Sequence, residues 1–129
     1  MTGVQTCALP ISIKAAFETA WKDLGPLDLL VNNAGRALLR PVVDVSEADW
    51  DDVIDTNLKG AFFLSQLFGR ACIAQKRPGA IVSIASTHGM TGIAGRSVYG
   101  ISKAGLIQMT RMLAIEWADH NIQIGRAHV

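Results

Sequence analysis

Tyr99 and Lys103 are the residues whose types and spacing most directly suggest chemistry. Tyr99 is the only tyrosine of the 129-residue chain, and Lys103 follows it by four residues. Four residues are about one helical turn, so both side chains would lie on one face of a helix. A free phenol has a pKa near ~10 and exchanges protons poorly at neutral pH. An adjacent ammonium favours a phenolate, so the pair could act as a general acid and base. Alone, the spacing is equally typical of a solvated lysine beside a half-buried tyrosine.

Two further segments carry small or polar residues where predicted strands end. Ser86 follows the apolar run 80–85, and residues 32–35 follow the run 27–31. Short apolar runs bounded by turn residues are typical of buried parallel strands. Ligands of open α/β sheets bind at the carboxyl ends of strands. A serine there could hydrogen-bond a substrate oxygen, and small residues would let a ligand approach closely. Each segment taken singly also fits an ordinary turn.

The spacing of apolar residues predicts the elements that must position these groups. Helical periodicity is present in three segments, 13–24, 58–75 and 98–118. Ser46 with Asp49 predicts a capping box and a further helix through Ile54. Residues 121–123 begin a third strand. Helices that alternate with short strands indicate an α/β fold, a partial doubly wound Rossmann-type parallel sheet of about three strands with flanking helices.

Asn57 and His88 are further polar residues that could serve a site. Asn57 falls where a helix is expected, and asparagine there competes with the backbone for hydrogen bonds. It is expected either to mark a kink that binds water or to be a tolerated surface residue. His88 has no second histidine, cysteine or carboxylate at ligand spacing, so no metal site is predicted.

Composition excludes several classes of protein. Half of the residues are hydrophobic and the mean hydropathy is +0.28, which argues against disorder. The 12 basic and 11 acidic residues leave a net charge of +1, so neither nucleic acid nor an anionic membrane is an expected partner. Polar residues interrupt the apolar stretches too often for a membrane span. Two cysteines, Cys7 and Cys72, do not make a disulfide framework, and Cys72 is expected to lie in the core. A soluble cytoplasmic protein is the expectation.

The two ends of the chain differ in character from the segment between them. Residues 1–12 and 124–129 fit no predicted element. Codons can be chosen for 6–10 and 124–129 that are reverse complements after a shift of frame. Complementary ends are typical of a translated sequencing adapter. We therefore expect residues 1–12 and 124–129 to be non-native appendages, set aside as an expression scar would be. The native segment would then be residues 13–123.

Taken together, these residues resemble those of the short-chain dehydrogenase/reductase family. The resemblance covers nearly all of segment 13–123 and depends on four motifs in the family's order. They are Asn32-Asn33-Ala34-Gly35, Asn57-Leu58-Lys59-Gly60, Ser86 and Tyr99-Gly100-Ile101-Ser102-Lys103-Ala104-Gly105. Each motif alone is weak. The serine placed 13 residues before the tyrosine of a Tyr-x-x-x-Lys motif, with Asn-Asn-Ala-Gly upstream, is a highly specific combination.

The resemblance implies a catalytic role for four residues. Tyr99 would be the general acid and base that exchanges a proton with the substrate oxygen. Lys103 would favour the Tyr99 phenolate and hold the nicotinamide ribose. Ser86 would hydrogen-bond the substrate carbonyl, and Asn57 would anchor a water in a proton relay to Lys103. The reaction would be reversible hydride transfer between a nicotinamide and a small-molecule carbonyl or secondary alcohol.

The resemblance also implies a cofactor and an assembly. The cofactor would be NAD or NADP, with Asn32, Ala34, Gly35, Tyr99 and Lys103 in contact with it. The first three would line its adenine-ribose side and tie the first strand to the sheet. The two long apolar helices resemble those of the family's dimer or tetramer interface, so the parent protein is expected to be a homodimer or homotetramer. The apolar surface of these helices exceeds what one sheet face can cover, and this agrees with an interface between subunits.

Parts of the family's pattern are absent from the sequence. No glycine-rich turn follows a first strand, and the residue that distinguishes NAD from NADP is also absent. Segment 13–123 is therefore interpreted as the middle portion of a domain about twice as long. The chain as given is expected to be inactive. Its three parallel strands would leave residues 1–12 unpaired and strand 27–31 as an exposed apolar edge.

Two other interpretations stay open at this point. A non-catalytic Rossmann-like binding or scaffold protein would share the fold, but it need not keep Ser86, Tyr99 and Lys103. A genuine short protein could instead assemble with a partner that supplies the missing strands. Convergence of the three side chains on one cleft would favour an enzyme. The substrate is left open, since small sugars or polyols, 3-oxoacyl thioesters and steroids are all compatible.

Overall fold

Three parallel strands and four α-helices make up the described part of the chain. The computed structural model describes residues 10–129, and the expectations for residues 1–9, Cys7 among them, lie outside that range. The helices are α1 (Pro10–Leu24), α2 (Glu47–Ile54), α3 (Gly60–Ala74) and α4 (Ser97–Glu116). The strands are β1 (Leu29–Asn32), β2 (Gly79–Ala85) and β3 (Ile122–His128). All pairings are parallel, in the order β1-β2-β3, which confirms the predicted α/β fold with a three-stranded parallel sheet.

The register of the sheet aligns the carboxyl ends of its strands. Asn32, the last residue of β1, pairs with Ser83, and Ala85, the last residue of β2, pairs with His128. The connections between parallel strands must cross the sheet, so α2 and α3 lead from β1 to β2 and α4 leads from β2 to β3. The loops that follow β1 and β2 therefore emerge at the same edge of the sheet.

The core lies between one face of the sheet and three helices. Leu30, Ile81 and Ile124 stand in register across the three strands, on the sheet face against which α1, α3 and α4 pack. Alternate residues of β2 are buried, as the two-residue side-chain period of a strand requires. Cys72 is fully buried in this core, as predicted. Burial raises the pKa of its thiol above the ordinary value of 9.0.

Some elements extend beyond their predicted limits. Helix α1 begins at Pro10 rather than at residue 13. A proline is compatible with this start because N–H groups in the first turn of a helix have no partner within the helix. Strand β3 continues to His128, so residues 124–128 pair with β2 although they were set aside as an appendage. Backbone pairing needs only N–H and C=O groups, and side-chain pattern therefore underestimates strand length. Within residues 10–129, every helix is too short or too polar to span a bilayer.

The junction between α2 and α3 is a widened turn. Residues Asp55–Lys59 form a π-helical turn, which confirms that the helical run is interrupted at Asn57. The capping box predicted at the start of α2 is also present: Asp49 N donates to Ser46 Oγ at 3.1 Å, and Ser46 N donates to Asp49 Oδ2 at 2.9 Å. The backbone hydrogen bond from Ser46 is the main cause that lowers the Asp49 pKa. The π turn thus follows a helix whose first turn is capped and leads directly into α3.

The loop after β2 packs tightly on the first half of α4. Residues Thr87–Gly89 form a single 3-10 turn. A Cβ atom at Gly89 would lie 2.8 Å from the carbonyl carbon of Lys103 and 2.9 Å from the nitrogen of Ala104. A Cβ atom at Gly100 would lie 3.0 Å from the carbonyl oxygen of His88. Glycine at these positions therefore lets the turn and the helix touch backbone to backbone.

Alanine at Gly89 should lift this turn from the helix. We expect Gly89→Ala to lower the free energy of unfolding by about 1–3 kcal/mol, because backbone atoms cannot yield to an overpacked methyl group. Gly92→Ala is the matched control in the same loop, since a Cβ there meets nothing within 4 Å. It should change stability by less than about 0.5 kcal/mol. Urea unfolding of both variants measures the difference, and equal losses would contradict the close packing.

Candidate functional site

The residues singled out from the sequence gather at the carboxyl edge of the sheet. Residues 32–35 follow β1, and Ser86 follows β2. Asn57 lies in the π turn, and Tyr99 and Lys103 lie in the first half of α4. The elements that carry them meet because the loops after parallel strands emerge on one side.

Lys103 is a buried cation. Its residue is only 4% exposed, and its Nζ donates a hydrogen bond to the Ile84 carbonyl oxygen at 2.7 Å. It forms no ion pair with a carboxylate of residues 10–129. Burial lowers the pKa of the ammonium from its ordinary value of 10.5. An ammonium has three N–H donors, so two remain for another acceptor.

The space beside Lys103 is kept open by a glycine. A Cβ atom added at Gly35 would lie 3.6 Å from Lys103 Nζ and 3.8 Å from Asn57 Oδ1. Both polar atoms therefore border the same small volume above Gly35. Gly35 itself is exposed, so this volume communicates with solvent. A larger side chain at this position would occupy the place where a ligand could meet the ammonium.

Tyr99 lies beside Lys103 and against a histidine. Lys103 Nζ is 5.7 Å from the centroid of the Tyr99 ring, and the His88 ring meets the Tyr99 ring edge to face with centroids 5.7 Å apart. The Tyr99 hydroxyl makes no hydrogen bond to any residue in the described range. A phenol whose ring is held on two sides and whose hydroxyl is unengaged is suited to exchange a proton with a ligand.

Ser86 is buried at the end of β2, where its hydroxyl caps the turn that follows. Ser86 Oγ accepts a hydrogen bond from His88 N at 3.3 Å. A hydroxyl is both donor and acceptor, so Ser86 keeps its own proton to donate elsewhere. His88 therefore links the two predicted site residues, bonding Ser86 through its backbone and contacting Tyr99 through its ring.

The Asn57 side chain joins three parts of the fold. Its Oδ1 accepts from Arg36 N at 2.7 Å, and its Nδ2 donates to Arg36 O at 2.9 Å and to Ser102 Oγ at 3.0 Å. Asn57 is 1% exposed. These bonds use both donors of the amide and one lone pair of its oxygen. The amide therefore connects the loop after β1, the π turn and α4, and it is no surface residue.

Ser102 was not singled out from the sequence, although it lies within the Tyr-x-x-x-Lys motif. Its hydroxyl accepts from Asn57 and donates to the Tyr99 carbonyl oxygen at 2.7 Å, and the residue is fully buried. A serine between apolar positions of a helix was the available signal. It was not decisive, because serine in a helix commonly bonds its own backbone without any other partner.

Two more serines support the end of β1. Asn32 Nδ2 donates to Ser65 Oγ of α3 at 3.0 Å and to Ser83 Oγ of β2 at 3.2 Å. All three residues are buried. Asn32 Oδ1 is also buried and has no hydrogen-bond partner within residues 10–129. Ser83 lies within β2, and its hydroxyl faces the helices and helps to fasten β1 beside β2.

A family comparison agrees with this arrangement. The model of a family described as short chain dehydrogenase matches residues 8–128.

Individual relatives are similar over most of the chain. The 2-dehydro-3-deoxy-D-gluconate 5-dehydrogenase of Escherichia coli (strain K12) is 41% identical over 112 residues, which are 87% of this chain and 44% of that enzyme. The L-xylulose reductase of Mesocricetus auratus is 38% identical over 122 residues, which are 95% of this chain and 50% of the relative. The chain thus spans about half the length of the curated relatives it matches.

Solved structures show the same architecture. A structure of 4-hydroxyisoleucine dehydrogenase complexed with NADH and succinate superposes with a TM-score of 0.89 at 30% identity, covering 94% of this chain and 56% of that one. Acetoin dehydrogenase from Salmonella typhimurium superposes with a TM-score of 0.88 at 31% identity, covering 93% of this chain and 47% of that one.

The buried ammonium should make stability depend on pH. Between the lowered Lys103 pKa and 10.5, the folded state releases a proton that the unfolded state keeps, so stability rises with pH in that window. At pH values below this window, the charged ammonium lowers the stability of the folded state by the full cost of its burial. As the pH rises through this window, the free energy of unfolding of the wild type should increase relative to that of Lys103→Met. The expected increase is about 1.4 kcal/mol for each unit by which burial lowers the Lys103 pKa. Lys22→Met, at an exposed lysine of α1, is the control. Urea unfolding at several alkaline pH values is the measurement, and parallel curves for wild type and Lys103→Met would count against a buried charge.

Proposed function

The chain belongs to the short chain dehydrogenase family, and from that premise we propose that it is part of an NAD- or NADP-dependent oxidoreductase. Residues 13–123 would be the middle portion of its Rossmann domain. The enzyme would interconvert a small-molecule carbonyl and a secondary alcohol in the cytoplasm, without nucleic acid or membrane as a partner. The observation that carries the proposal is the buried Lys103 ammonium beside the ring of Tyr99, whose hydroxyl bonds no residue of 10–129.

The donors of the site fit a nicotinamide nucleotide. Lys103 retains two N–H groups beside the open space above Gly35, and the hydroxyls of a ribose are suitable acceptors for them. Burial of a lysine without a carboxylate partner is energetically unfavourable. A polar ligand that accepts hydrogen bonds from the two remaining N–H groups would offset part of that cost. Ala34 and Gly35 follow β1 at the same edge, where Asn32 fastens the strand, and would contact the cofactor's adenine-ribose side.

Side chains of this protein would transfer the proton to and from the substrate. In the reducing direction, Tyr99 would donate its hydroxyl proton to the substrate oxygen, and Ser86 would donate a hydrogen bond to the same oxygen as negative charge develops there. A bound nicotinamide would supply the hydride. The Lys103 ammonium would stabilise the phenolate that remains on Tyr99.

Asn57 would support return of the proton. Its side-chain oxygen keeps one lone pair and lies near the same volume as Lys103 Nζ, so a water held there could pass a proton toward Lys103. The reverse sequence of these transfers would serve alcohol oxidation.

The chain by itself is proposed to be inactive. Residues 10–129 do not include the family's glycine-rich turn after a first strand, which would bind the pyrophosphate, so the chain would carry the acid–base groups without the main anchor of the dinucleotide. A chimaera supplies that anchor: residues 13–123 replace the matching segment of the Escherichia coli 2-dehydro-3-deoxy-D-gluconate 5-dehydrogenase, with which this chain shares 41% identity. The isolated chain should show no turnover, and the chimaera should show that enzyme's dehydrogenase activity.

Removal of one hydroxyl tests the catalytic assignment. In the chimaera, Tyr99→Phe should lower kcat by roughly 10²–10⁴-fold, the usual contribution of a general acid or base. Arg111→Gln, on an exposed part of α4, should leave kcat unchanged. Steady-state kinetics with nicotinamide absorbance is the measurement. Retained activity in Tyr99→Phe would favour the alternative of a Rossmann-like scaffold whose tyrosine is merely structural.

We also propose that the parent enzyme is a homodimer or homotetramer. An open groove of about 1040 Å³ lies between α3 and α4, and apolar side chains from both helices line it. Phe62, Ile101, Met112 and Ile115 are exposed on these helices, Ile115 to 78%. Apolar surface of this extent is typical of a face that meets another subunit. A second copy related by a twofold axis would cover the same face on both subunits.

A charge in this groove should break the assembly. We expect Met112→Glu to weaken self-association of the chimaera by about a hundredfold, since an unpaired carboxylate buried in an interface costs several kcal/mol. Val43→Glu replaces an even more exposed apolar residue away from the groove. This control variant should leave the mass of the assembled chimaera unchanged. Sedimentation velocity over a range of concentrations distinguishes them. Equal behaviour of the two variants would place the interface elsewhere.

A further inference from the structure

We propose that Ser102 is a positioning residue that holds Tyr99 and Lys103 in place relative to the loop after β1. This inference depends on the proposed oxidoreductase function, whose acid–base pair Ser102 would align. The residue touches neither of the reacting groups by its own side chain. It acts through Asn57 and through the Tyr99 carbonyl oxygen.

A continuous series of hydrogen bonds carries the inference. Arg36 N and O bind the two ends of the Asn57 amide, Asn57 Nδ2 binds Ser102 Oγ at 3.0 Å, and Ser102 Oγ donates to Tyr99 O at 2.7 Å. The directions are determined by chemistry. An amide nitrogen can only donate, so the Ser102 hydroxyl must accept from it and direct its single proton to the Tyr99 carbonyl.

The position of this series explains what it would control. Gly35 precedes Arg36, and the volume above Gly35 is bordered by Lys103 Nζ and Asn57 Oδ1. Ser102 lies between Tyr99 and Lys103 in the chain and is fully buried. The hydroxyl therefore sets the distance between the loop that borders the ligand space and the helix that carries the acid–base pair.

Loss of the Ser102 hydroxyl should displace the loop after β1 rather than leave the surrounding structure unchanged. In a Ser102→Ala variant, one N–H of a 1% exposed amide would lack a partner, which is unfavourable for any buried donor. The amide would turn to find another acceptor and would weaken its two bonds to Arg36. The Tyr99 carbonyl would lose its second partner at the same time, so both ends of the connection would loosen.

Thr110 provides a matched control on the same helix. It is also a buried hydroxyl of α4, 3% exposed, and it donates to the Leu106 carbonyl oxygen at 2.9 Å. That bond stays within the helix. A Thr110→Val variant therefore removes a buried helix hydroxyl without cutting a connection to the π turn.

The single tyrosine makes the test specific. In the full chain labelled with [13C]tyrosine, only Tyr99 contributes ring signals. We expect Ser102→Ala to shift the Tyr99 ring resonances, to change the Asn57 side-chain amide signals and to weaken the NOE between the His88 and Tyr99 rings. Ser102→Thr should restore all three toward wild type, and Thr110→Val should leave them unchanged. Ser102→Cys keeps the volume with a weaker hydrogen-bonding group, so it replaces Ser102→Ala if that variant does not fold.

Kinetics of the chimaera separate this inference from the proposed function. Ser102→Ala should lower kcat by roughly ten- to a hundredfold with little change in KM, as expected for misplaced catalytic groups. Tyr99 signals that respond equally to Ser102→Ala and Thr110→Val, or to neither, would overturn the positioning role. An inactive chimaera whose Tyr99 signals respond only to the Ser102 variants would support the connection and count against the oxidoreductase assignment.

Discussion

A buried ammonium that pairs with no carboxylate of residues 10–129 is the constraint on which the site depends. Removing a lysine from water is unfavourable, and the single Ile84 carbonyl that receives Lys103 offsets only part of that loss. The cation nevertheless cannot retreat to solvent, because α4 packs on the sheet on one side and the 87–89 turn packs on its backbone on the other. The protein therefore holds an unsatisfied positive charge beside a phenol, which is a useful arrangement for moving protons.

The rest of the fold serves to hold that charge and its neighbours at one edge of the sheet. Parallel pairing brings the ends of β1 and β2 together, and glycines at 89 and 100 allow the loop after β2 to lie directly on α4. The Asn57 amide then ties the loop after β1 to the same helix through the π turn. The Asn57 connection is made by a buried amide whose hydrogen bonds are satisfied, so it restricts the site more than apolar packing alone would.

Sequence reasoning succeeded where the responsible interaction is local. Apolar runs bounded by turns located β1 and β2, and Ser46 with Asp49 located the start of α2, because burial alternation and capping depend on near neighbours. The four-residue spacing of Tyr99 and Lys103 placed them on adjacent turns of one helix for the same reason. It located the start of β3 but underestimated its length, because the last residues of that strand pair through backbone groups. It also passed over Ser65, Ser83 and Ser102, whose partners lie far away in the chain.

The amino-acid sequence alone thus determined the class of fold, the family resemblance and the two residues that we propose as the acid–base pair, since residue type and short-range spacing carry that information. Only the tertiary structure decided that Asn57 is a buried cross-link, that Lys103 is unpaired by any carboxylate of residues 10–129, and that Ser102 joins Asn57 to the Tyr99 backbone. Those facts arise from contacts between residues up to 45 positions apart. Such contacts exist only once the chain is folded, because no local pattern encodes which distant groups will meet.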